Sequence, residues 1–388
     1  MITVAAALDR LFALVSPLPG EDVPLTQAAG RILSRPVSAR RNQPPFAASA
    51  MDGYAIRADF TPGETLQVIG ESAAGLGFSG QVGPGQTVRI FTGAPMPVGT
   101  DIVAIQEDVT RSSSEITLGP DVGPANVRPM GADFKIGDSL SAPRRLSPSD
   151  VALLAAMNIA TVPVTRRPVV AIIATGNELV QPGENPGPDQ IIASNSYGLH
   201  ALLRDLGADP RLLPIARDTL DSLAFALDLA KGADLILTIG GASVGDHDLV
   251  GQAAGIAGME QAFYKVAMRP GKPLMAGRMG ASMMIGLPGN PVSAMVCGHI
   301  FVAPVIRAML GLPARATPRQ TAVLAAALPA NGPREHYIRA RQTADGVVAF
   351  DKQDSSLLSV LSQSDCLIVQ PAGDGPRASG EMVQIIPI

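Results

Sequence analysis

The 388-residue sequence is poor in the side chains that build disulfide frameworks and zinc sites. It contains two cysteines, Cys297 and Cys366, and four histidines, and no pair of them stands at metal-ligand spacing. A disulfide framework and a histidine-rich zinc site are therefore excluded. Aromatic residues make up 4% of the chain and tryptophan is absent, so the core must be built mainly from aliphatic side chains.

Charge of either sign is also scarce. Charged residues account for 16% of the chain and the formal net charge is −4, which gives no large basic field for a nucleic-acid partner. The first 20 residues have no basic leader, and Asp9 and Arg10 interrupt their apolar run, as in an amphipathic helix rather than a signal peptide. No stretch approaches the roughly 20 apolar residues of a membrane span. We expect a cytoplasmic protein with no membrane partner.

Hydrophobic residues, at 46%, and the 74 glycines and prolines (40 plus 34) indicate a folded chain with many turns. Residues 1–44 show helical periodicity from Val4 and again from Leu25 to Ile32. Short β-type runs fill 45–135, and a further helix is predicted over 147–160.

From residue 168 the pattern changes to apolar runs that end in glycine and alternate with helix-like stretches. This alternation is the signal for a parallel sheet covered on both faces. The predicted strands lie in RPVVAIIATGNEL, ADLILTIGGASVGDHD and SMMIGLPGNP. After about residue 313 the chain returns to short β-type runs.

Three loops follow the predicted parallel strands, and their composition suits phosphate and metal. They are 175–178, 240–248 and 288–291. Ligands of open α/β sheets bind beyond the carboxyl ends of the strands. The glycines allow close backbone approach to a phosphate, and carboxylates such as Glu178, Asp218 and Asp248 suit Mg²⁺.

A basic turn, Tyr264–Pro273, places three cations on a stiff segment of a chain with little charge. The cations are Lys265, Arg269 and Lys272. They predict a second anion pocket beside the phosphate loops, and a solvated basic loop is the alternative.

A serine hydrolase is a rival interpretation. Gly241–Gly245 matches the G-x-S-x-G pattern of a nucleophile elbow. Such an enzyme needs a downstream histidine, and the sequence alone assigns that role to none of His247, His299 and His336.

Taken together, seven motifs resemble the molybdopterin molybdenumtransferase family, which includes MoeA and the gephyrin E domain. In chain order they are S-A-M-D-G-Y-A (49–55), T-G-A-P-M-P-x-G-x-D (92–101), R-P-M-G-A-D-F-K-I-G-D (128–138), A-T-G-N-E-L (174–179), G-G-A-S-V-G-D-H-D (240–248), M-R-P-G-K-P (268–273) and G-L-P-G-N-P-V-S-A (286–294). They follow the family's order and cover nearly the whole chain, so the resemblance is specific.

The resemblance implies a multi-domain α/β plus β fold. Its expected parts are an N-terminal helical and linker domain (1–44 and 136–167), an inserted β domain (45–135), a central MogA-like α/β domain with a mostly parallel sheet (168–312) and a C-terminal β-barrel-like domain (313–388). It also implies an elongated homodimer. The implied reaction converts adenylylated molybdopterin and molybdate into molybdenum cofactor and AMP, and it requires Mg²⁺. Further implied partners are the molybdopterin adenylyltransferase and molybdoenzyme chaperones.

The resemblance also implies roles for individual residues. Glu178, Asp218 and Asp248 match the nucleotide and Mg²⁺ site, and Gly240, Gly241, Ser243 and Gly245 the phosphate cradle. Lys265 matches a lysine that acts on the pterin phosphate or in catalysis. Arg269, Lys272, Arg339 and Ser355 match the molybdate pocket, and Pro288 and Pro291 shape the adjoining loop. Asp52, Thr92 and Asp133 belong to the inserted domain, which in family dimers reaches the partner's active site.

Several positions depart from the family pattern. Arg269 replaces a common lysine, which keeps the charge but changes its geometry. Asp354 and Ala340 replace glycines, and such changes can alter the backbone beside Ser355 and Arg339. Two further alternatives stay open: an adenylyltransferase that uses ATP and free molybdopterin, and a non-catalytic scaffold.

Overall fold

The computed structural model describes residues 1–241 and 249–388. Two compact units form: Met1–Glu21 with Thr165–Ile388, and Asp22–Val164.

The larger unit is organised around a six-stranded sheet whose first four strands are parallel and whose fifth strand is antiparallel to both of its neighbours. In spatial order the strands are Asp209–Leu212, Val169–Ala174, Leu235–Ile239, Ser282–Leu287, Met275–Met279 and Met259–Tyr264. Residues such as Ile172 and Leu237 are fully buried because both faces of the sheet are covered. The predicted mostly parallel sheet is confirmed.

Helices surround this sheet. They are Val4–Leu14, Ser194–Asp205, Leu220–Leu229, Leu249–Ile256, Pro291–Cys297 and Ala303–Met309, with a π-helical segment, Gly298–Val302, joining the last two. A small parallel pair, Leu179–Val180 with Ile191–Ile192, lies between the strand Val169–Ala174 and the helix Ser194–Asp205. The predicted N-terminal helix is confirmed: Thr3 caps it, and Val4, Leu8 and Leu11 are buried.

The run Pro291–Met309 is 19 residues long and, by length and composition alone, apolar enough to cross a membrane. The expectation that no run approaches this length was therefore wrong. Because 83% of its apolar window is buried inside the protein, the run is packed like a core helix of a globular protein.

The C-terminal part of the larger unit is a six-stranded β structure. Its strands are Met268–Arg269, Gln320–Val323, Glu335–Thr343, Gly346–Ala349, Cys366–Gln370 and Met382–Pro387, with a short helix, Leu358–Ser362. A bridge between Leu324 and Val347 links the two ends of this sheet, so it closes on itself. This closure confirms the predicted barrel-like arrangement.

The smaller unit is mainly β. Its six-stranded sheet has the order Ile102–Ile105, Gly53–Ile56, Gln86–Ile90, Thr65–Ser72, Glu115–Leu118 and Val109–Ser112. A four-stranded sheet contains Gly20–Pro24, Thr161–Thr165, Ile32–Leu33 and Arg144–Arg145, and two-stranded pairs join Val127–Arg128 to Ala48–Ser49 and Ser139–Leu140 to Val37–Ser38. The helix predicted over 147–160 begins at Pro148 and ends at Ala156.

One predicted helix is wrong. The stretch from Leu25 to Ile32 forms a single 3₁₀ turn, Leu25–Gln27, and then enters a strand at Ile32. Gly30 has a φ of 74°, which ends the helical conformation. Leu33 then pairs with Val164, and this long-range contact outweighs the local helical pattern.

Candidate functional site

A cleft of about 950 Å³ opens where three adjacent parallel strands end. The loops after Ala174, Ile239 and Leu287 all contribute to its walls. Six of the residues singled out in the sequence line it: Glu178, Asp218, Gly240, Gly241, Pro288 and Pro291. The structure thus brings the described residues of the three predicted phosphate loops to one edge of the sheet, as parallel strands require.

The first loop is tied to the segment that carries Asp218. The Asn177 N–H donates to Asp218 Oδ2 at 3.2 Å, and the Asp218 N–H donates to Asn177 Oδ1 at 3.1 Å. Arg217 Nη1 donates to the carbonyl oxygens of Gly176, Asn177 and Leu179. These bonds hold two loops, 41 residues apart in sequence, against each other. Sequence reasoning assigned no role to Asn177 or Arg217.

The carboxylate of Glu178 lies directly against the α-carbon of Gly176. A Cβ at Gly176 would lie 2.4 Å from Glu178 Oε2 and 2.6 Å from Oε1. Gly176 also has a φ of 150°, which side-chain-bearing residues rarely adopt. Glycine at this position therefore makes room for the carboxylate at the wall of the cleft.

The second loop begins with two glycines that no other residue could replace without movement. Gly240 and Gly241 have φ values of 92° and 65°. Their Cβ atoms would lie 2.8 Å from Thr175 O and 2.2 Å from Val250 Cγ2, respectively. The bare backbone at this point suits close approach by an anionic group. The predicted positions Ser243, Gly245 and Asp248 lie outside the described residues.

The third loop connects the cleft to the C-terminal β structure. Asn195 Nδ2 donates to Gly289 O at 2.7 Å, and the Val292 N–H donates to Ser355 O at 3.0 Å. The second bond fixes the segment that carries Ser355 against the start of the helix Pro291–Cys297. Ser356, the next residue, lines the cleft. Asn195 and Ser356 carried no local motif that sequence analysis could have recognised.

Two of the three predicted magnesium ligands, Glu178 and Asp218, line the cleft and are exposed. Within residues 1–241 and 249–388, no group of three or more His, Cys, Asp or Glu side chains could hold a metal ion. Mg²⁺ is commonly bound through one or two carboxylates together with substrate phosphates and water. The donor chemistry of this pair therefore fits a magnesium ion that arrives with a phosphorylated ligand.

The basic turn adjoins the cleft through Pro273, which lines it. Lys265, Arg269 and Lys272 are not lining residues. Lys265 is half-buried with its Nζ 5.0 Å from the centre of the Tyr264 ring, whereas Arg269 and Lys272 are exposed. The cations thus lie on the segment that leads into the cleft, and not on the cleft wall itself.

Arg269 belongs to a cluster of cations around His336. The two residues are paired in the parallel bridge between Met268–Arg269 and Glu335–His336. Burial, and then the charges of Arg269, Arg334 and Arg339, lower the pKa of His336 to about 4. His336 is therefore neutral near pH 7, and the three guanidinium groups create a positive field that suits an anion. Sequence analysis gave no such role to Arg334 or His336.

Arg339 is the largest fully buried side chain, with 1% of its surface exposed. Its Nε donates to Gln353 Oε1 at 3.3 Å and its Nη1 to Leu357 O at 3.2 Å. Burial lowers the pKa of Arg339, and the nearby charge of Asp354 partly opposes this shift. In the part of the chain that the structure describes, no carboxylate forms an ion pair with Arg339.

The two departures from glycine beside this arginine do not strain the backbone. Neither Asp354 nor Ala340 has a positive φ. Ala340 is buried within a strand and pairs with Cys366. The Asp354 carboxylate accepts bonds from the hydroxyl and the N–H of Ser356, which lower the pKa of Asp354.

In the smaller unit, Asp52 and Thr92 are joined directly. Both the N–H and the hydroxyl of Thr92 donate to Asp52 Oδ1 at 2.7 Å. The bond from the Thr92 N–H contributes most to holding the pKa of Asp52 below its usual value, followed by the bond from the Thr92 hydroxyl and the charge of Arg89. Arg89 itself lies between the Tyr54 and Phe91 rings, at 5.0 and 4.9 Å from their centres.

Asp133 is exposed on a different loop of the same unit. Its N–H donates to Gln43 O at 2.9 Å. Among the described residues, no hydrogen bond joins Asp133 to Asp52 or Thr92.

The serine-hydrolase alternative gains no support from the described histidines. Burial, and then the charge of Arg307, lower the pKa of His299 to about 4, as burial and three arginines do for His336. A base with so low a pKa is poorly suited to activate a serine near pH 7. Ser243 and His247 lie outside the described residues.

Comparison with protein families gives three consecutive matches. The models described as MoeA N-terminal region (domain I and II), probable molybdopterin binding domain, and MoeA C-terminal region (domain IV) match residues 2–158, 171–308 and 321–388. Together they cover most of the chain.

Individual relatives and solved structures agree with these matches. Proteins named molybdopterin molybdenumtransferase from Nostoc sp. and Haemophilus influenzae are 36% and 34% identical to the chain, covering 100% of it and 94% and 98% of the relatives. A MoeA protein from Pyrococcus horikoshii has a TM-score of 0.87 at 28% identity and covers 100% of both chains. A molybdenum cofactor biosynthesis protein from Pyrococcus furiosus, 21% identical with a TM-score of 0.60, shares the fold.

Proposed function

The chain belongs to the MoeA family, and from this premise we propose that it is a molybdopterin molybdenumtransferase. In this proposal it inserts molybdate into adenylylated molybdopterin and releases AMP, in molybdenum cofactor biosynthesis. The observation that carries the proposal is a cleft with two carboxylates and two glycines, next to a turn and a strand that bear Arg269 and Arg339. Such an arrangement can hold a nucleotide and an oxyanion side by side.

The cleft would hold the nucleotide and its phosphates. The backbone at Gly240 and Gly241 leaves room for phosphate oxygens, and Asn177 keeps Asp218 at the wall of the cleft. Glu178 and Asp218 would hold Mg²⁺, together with Asp248 by resemblance. When bound, the ion supplies charge neutralisation at the phosphate oxygens. Cleavage of the phosphoanhydride then depends on positioning and electrostatics, without a protein nucleophile.

The cluster of cations around His336 would bind molybdate. Arg339 is buried without an ion-pair partner in the described part of the chain, so a dianion beside it would gain a charge-assisted contact without displacing a carboxylate. Arg269 and Lys272 supply further positive charge from the basic turn. Ser355 lies on the segment that is hydrogen-bonded to the helix Pro291–Cys297. Lys265 would act on the pterin phosphate.

The remaining parts of the proposal rest on the resemblance. The protein would act in the cytoplasm as a homodimer, with the four domains at the boundaries given above. Asp52, Thr92 and Asp133 would then serve the partner's site. The short bonds from Thr92 support a part of this, because they keep Asp52 ionised and fixed in position. The adenylyltransferase and molybdoenzyme chaperones would be further partners.

Release of AMP by the purified chain tests the proposal. Adenylylated molybdopterin and Mg²⁺ are supplied with and without molybdate. We expect AMP to appear only when molybdate is present, and the Asp218→Asn variant to lose this activity. Product formation from ATP and free molybdopterin would instead favour the adenylyltransferase. If Asp218→Ala and Lys265→Ala left cofactor synthesis in cells unchanged, the scaffold alternative would be favoured.

A further inference from the structure

The backbone of Ile2 pairs with the turn that bears Lys265. The Ile2 N–H donates to Lys265 O at 3.2 Å, and the Ala267 N–H donates to Ile2 O at 2.7 Å. Together the two bonds form a parallel bridge between Ile2 and Val266. A residue about 260 positions away in sequence therefore forms one edge of the basic turn.

Hydrogen bonds between residues of the same segment hold the opposite edge of the turn. The Lys265 N–H donates to Leu274 O at 2.9 Å, and the Val266 N–H donates to Lys272 O at 3.0 Å. Residues 265–267 consequently have backbone partners on both sides, and Val266 is fully buried.

Lys265 occupies a conformation that it would not adopt unaided. Its φ is 68°, in the left-handed region. That conformation costs an L-residue other than glycine about 1–2 kcal/mol, and it persists only where the surroundings enforce it. The carbonyl group that accepts the bond from Ile2 belongs to this strained residue itself.

Ile2 reaches the turn because the helix that follows it is docked on the adjoining strand. The helix Val4–Leu14 buries its apolar stripe, and Arg10 Nη1 donates to Ala262 O at 2.8 Å. Ala262 belongs to Met259–Tyr264, the strand that runs directly into Lys265. The buried apolar stripe of this helix therefore fixes where Ile2 meets the turn.

We propose that Ile2 is a positioning residue for the reaction: its backbone holds Lys265 in the left-handed conformation and thereby sets where the cations of the basic turn lie. The inference rests on the proposed function, because it requires that these cations act on the substrate. The side chains of Lys265, Arg269 and Lys272 all project from this one turn. A change in its backbone at Ile2 therefore shifts the positions of all three cations together.

The test removes the N–H donor of this contact and keeps the carbonyl acceptor of residue 2. Ile2→Pro abolishes the donor to Lys265 O, whereas Ile2→Leu keeps both backbone bonds. Both variants and a wild-type reference carry the same short N-terminal tag. The tag ensures that residue 2 remains joined to a preceding residue by a peptide bond. Arg10→Ala is the matched structural control, since it loses a bond from the same helix to a neighbouring carbonyl.

We expect Ile2→Pro to lower kcat for molybdate-dependent AMP release by about tenfold or more, with KM for adenylylated molybdopterin within about threefold, because small displacements of reacting groups are costly. Ile2→Leu and Arg10→Ala should stay within about twofold in kcat. Hydrogen exchange at the amides of residues 265–267 should speed up by about tenfold in Ile2→Pro only.

Equal kcat values for Ile2→Pro and Ile2→Leu would overturn the inference. So would failure of Ile2→Pro to melt cooperatively, since one hydrogen bond contributes about 1 kcal/mol and a bond that only positions a turn does not decide folding. If the tagged wild-type chain releases no AMP, the proposed function fails instead. Amide exchange then still decides whether Ile2 holds the turn.

Discussion

Replacement of Arg339 by methionine separates a binding role from a structural one. Methionine matches the unbranched arginine stem but removes the charge and the two hydrogen bonds to Gln353 Oε1 and Leu357 O. Their loss costs about 2 kcal/mol at about 1 kcal/mol each. Against this, a buried guanidinium without an ion-pair partner carries a desolvation penalty of several kcal/mol, which the variant no longer has. We therefore expect the free energy of unfolding to stay within about 1 kcal/mol of wild type or to rise.

Activity should respond in the opposite way. Loss of a charge-assisted contact to an anion costs about 2–3 kcal/mol, which is roughly a 30- to 150-fold fall in molybdate-dependent kcat/KM. Urea denaturation gives the free energy of unfolding, and AMP release at varied molybdate gives kcat/KM. Arg341→Met is the matched control, because Arg341 lies on the same strand but is exposed over the Phe350 ring. A fall of about 3 kcal/mol in stability with kcat/KM retained would refute the reasoning and make Arg339 a structural residue.

Three further outcomes follow from the structure. Gly176→Ala should displace the Glu178 carboxylate, because the added Cβ would lie 2.4 Å from its Oε2. We expect the Mg²⁺ concentration needed for half-maximal AMP release to rise. An unchanged Mg²⁺ requirement would contradict the proposed role of Glu178. His299 should make the fold less stable as pH falls from 6.5 towards 4, because its pKa drops from 6.5 to about 4 on folding and only the unfolded chain is protonated in that window. The loss is at most about 3 kcal/mol by urea denaturation, and His299→Gln should flatten that slope. Arg89→Met should raise the pKa of Asp52 by removing a nearby positive charge, as carboxyl NMR titration would show; no change would exclude the charge of Arg89 as a cause.

The sequence predicted those parts of the fold that depend on local pattern. The apolar runs that end in Ala174, Ile239 and Leu287 became three adjacent parallel strands, and their glycine-bearing loops met at one cleft. These predictions succeeded because buried parallel strands and glycine turns leave a continuous signature in sequence. The stretch from Leu25 to Ile32 misled for the opposite reason, since Ile32 pairs with Arg145, which is far away along the chain.

The parts of the site that were missed depend on contacts between distant residues. Arg217 holds a loop about 40 positions earlier, Asn195 bonds to Gly289, and Ile2 bonds to Lys265. No local pattern marks any of these side chains or backbone groups. Arg339 was identified from its resemblance to a known family, but its burial without an ion-pair partner among the described residues emerged only from the structure.

A crystal structure of the chain with AMP, Mg²⁺ and molybdate would test the central claim most directly. The account predicts that the phosphate of AMP lies in the cleft beside Gly240 and Asp218, and that the anomalous signal of molybdenum lies beside Arg339 and Arg269. AMP bound elsewhere, or molybdenum density with no arginine of this cluster in contact, would contradict the claim that one site holds both the nucleotide and the oxyanion.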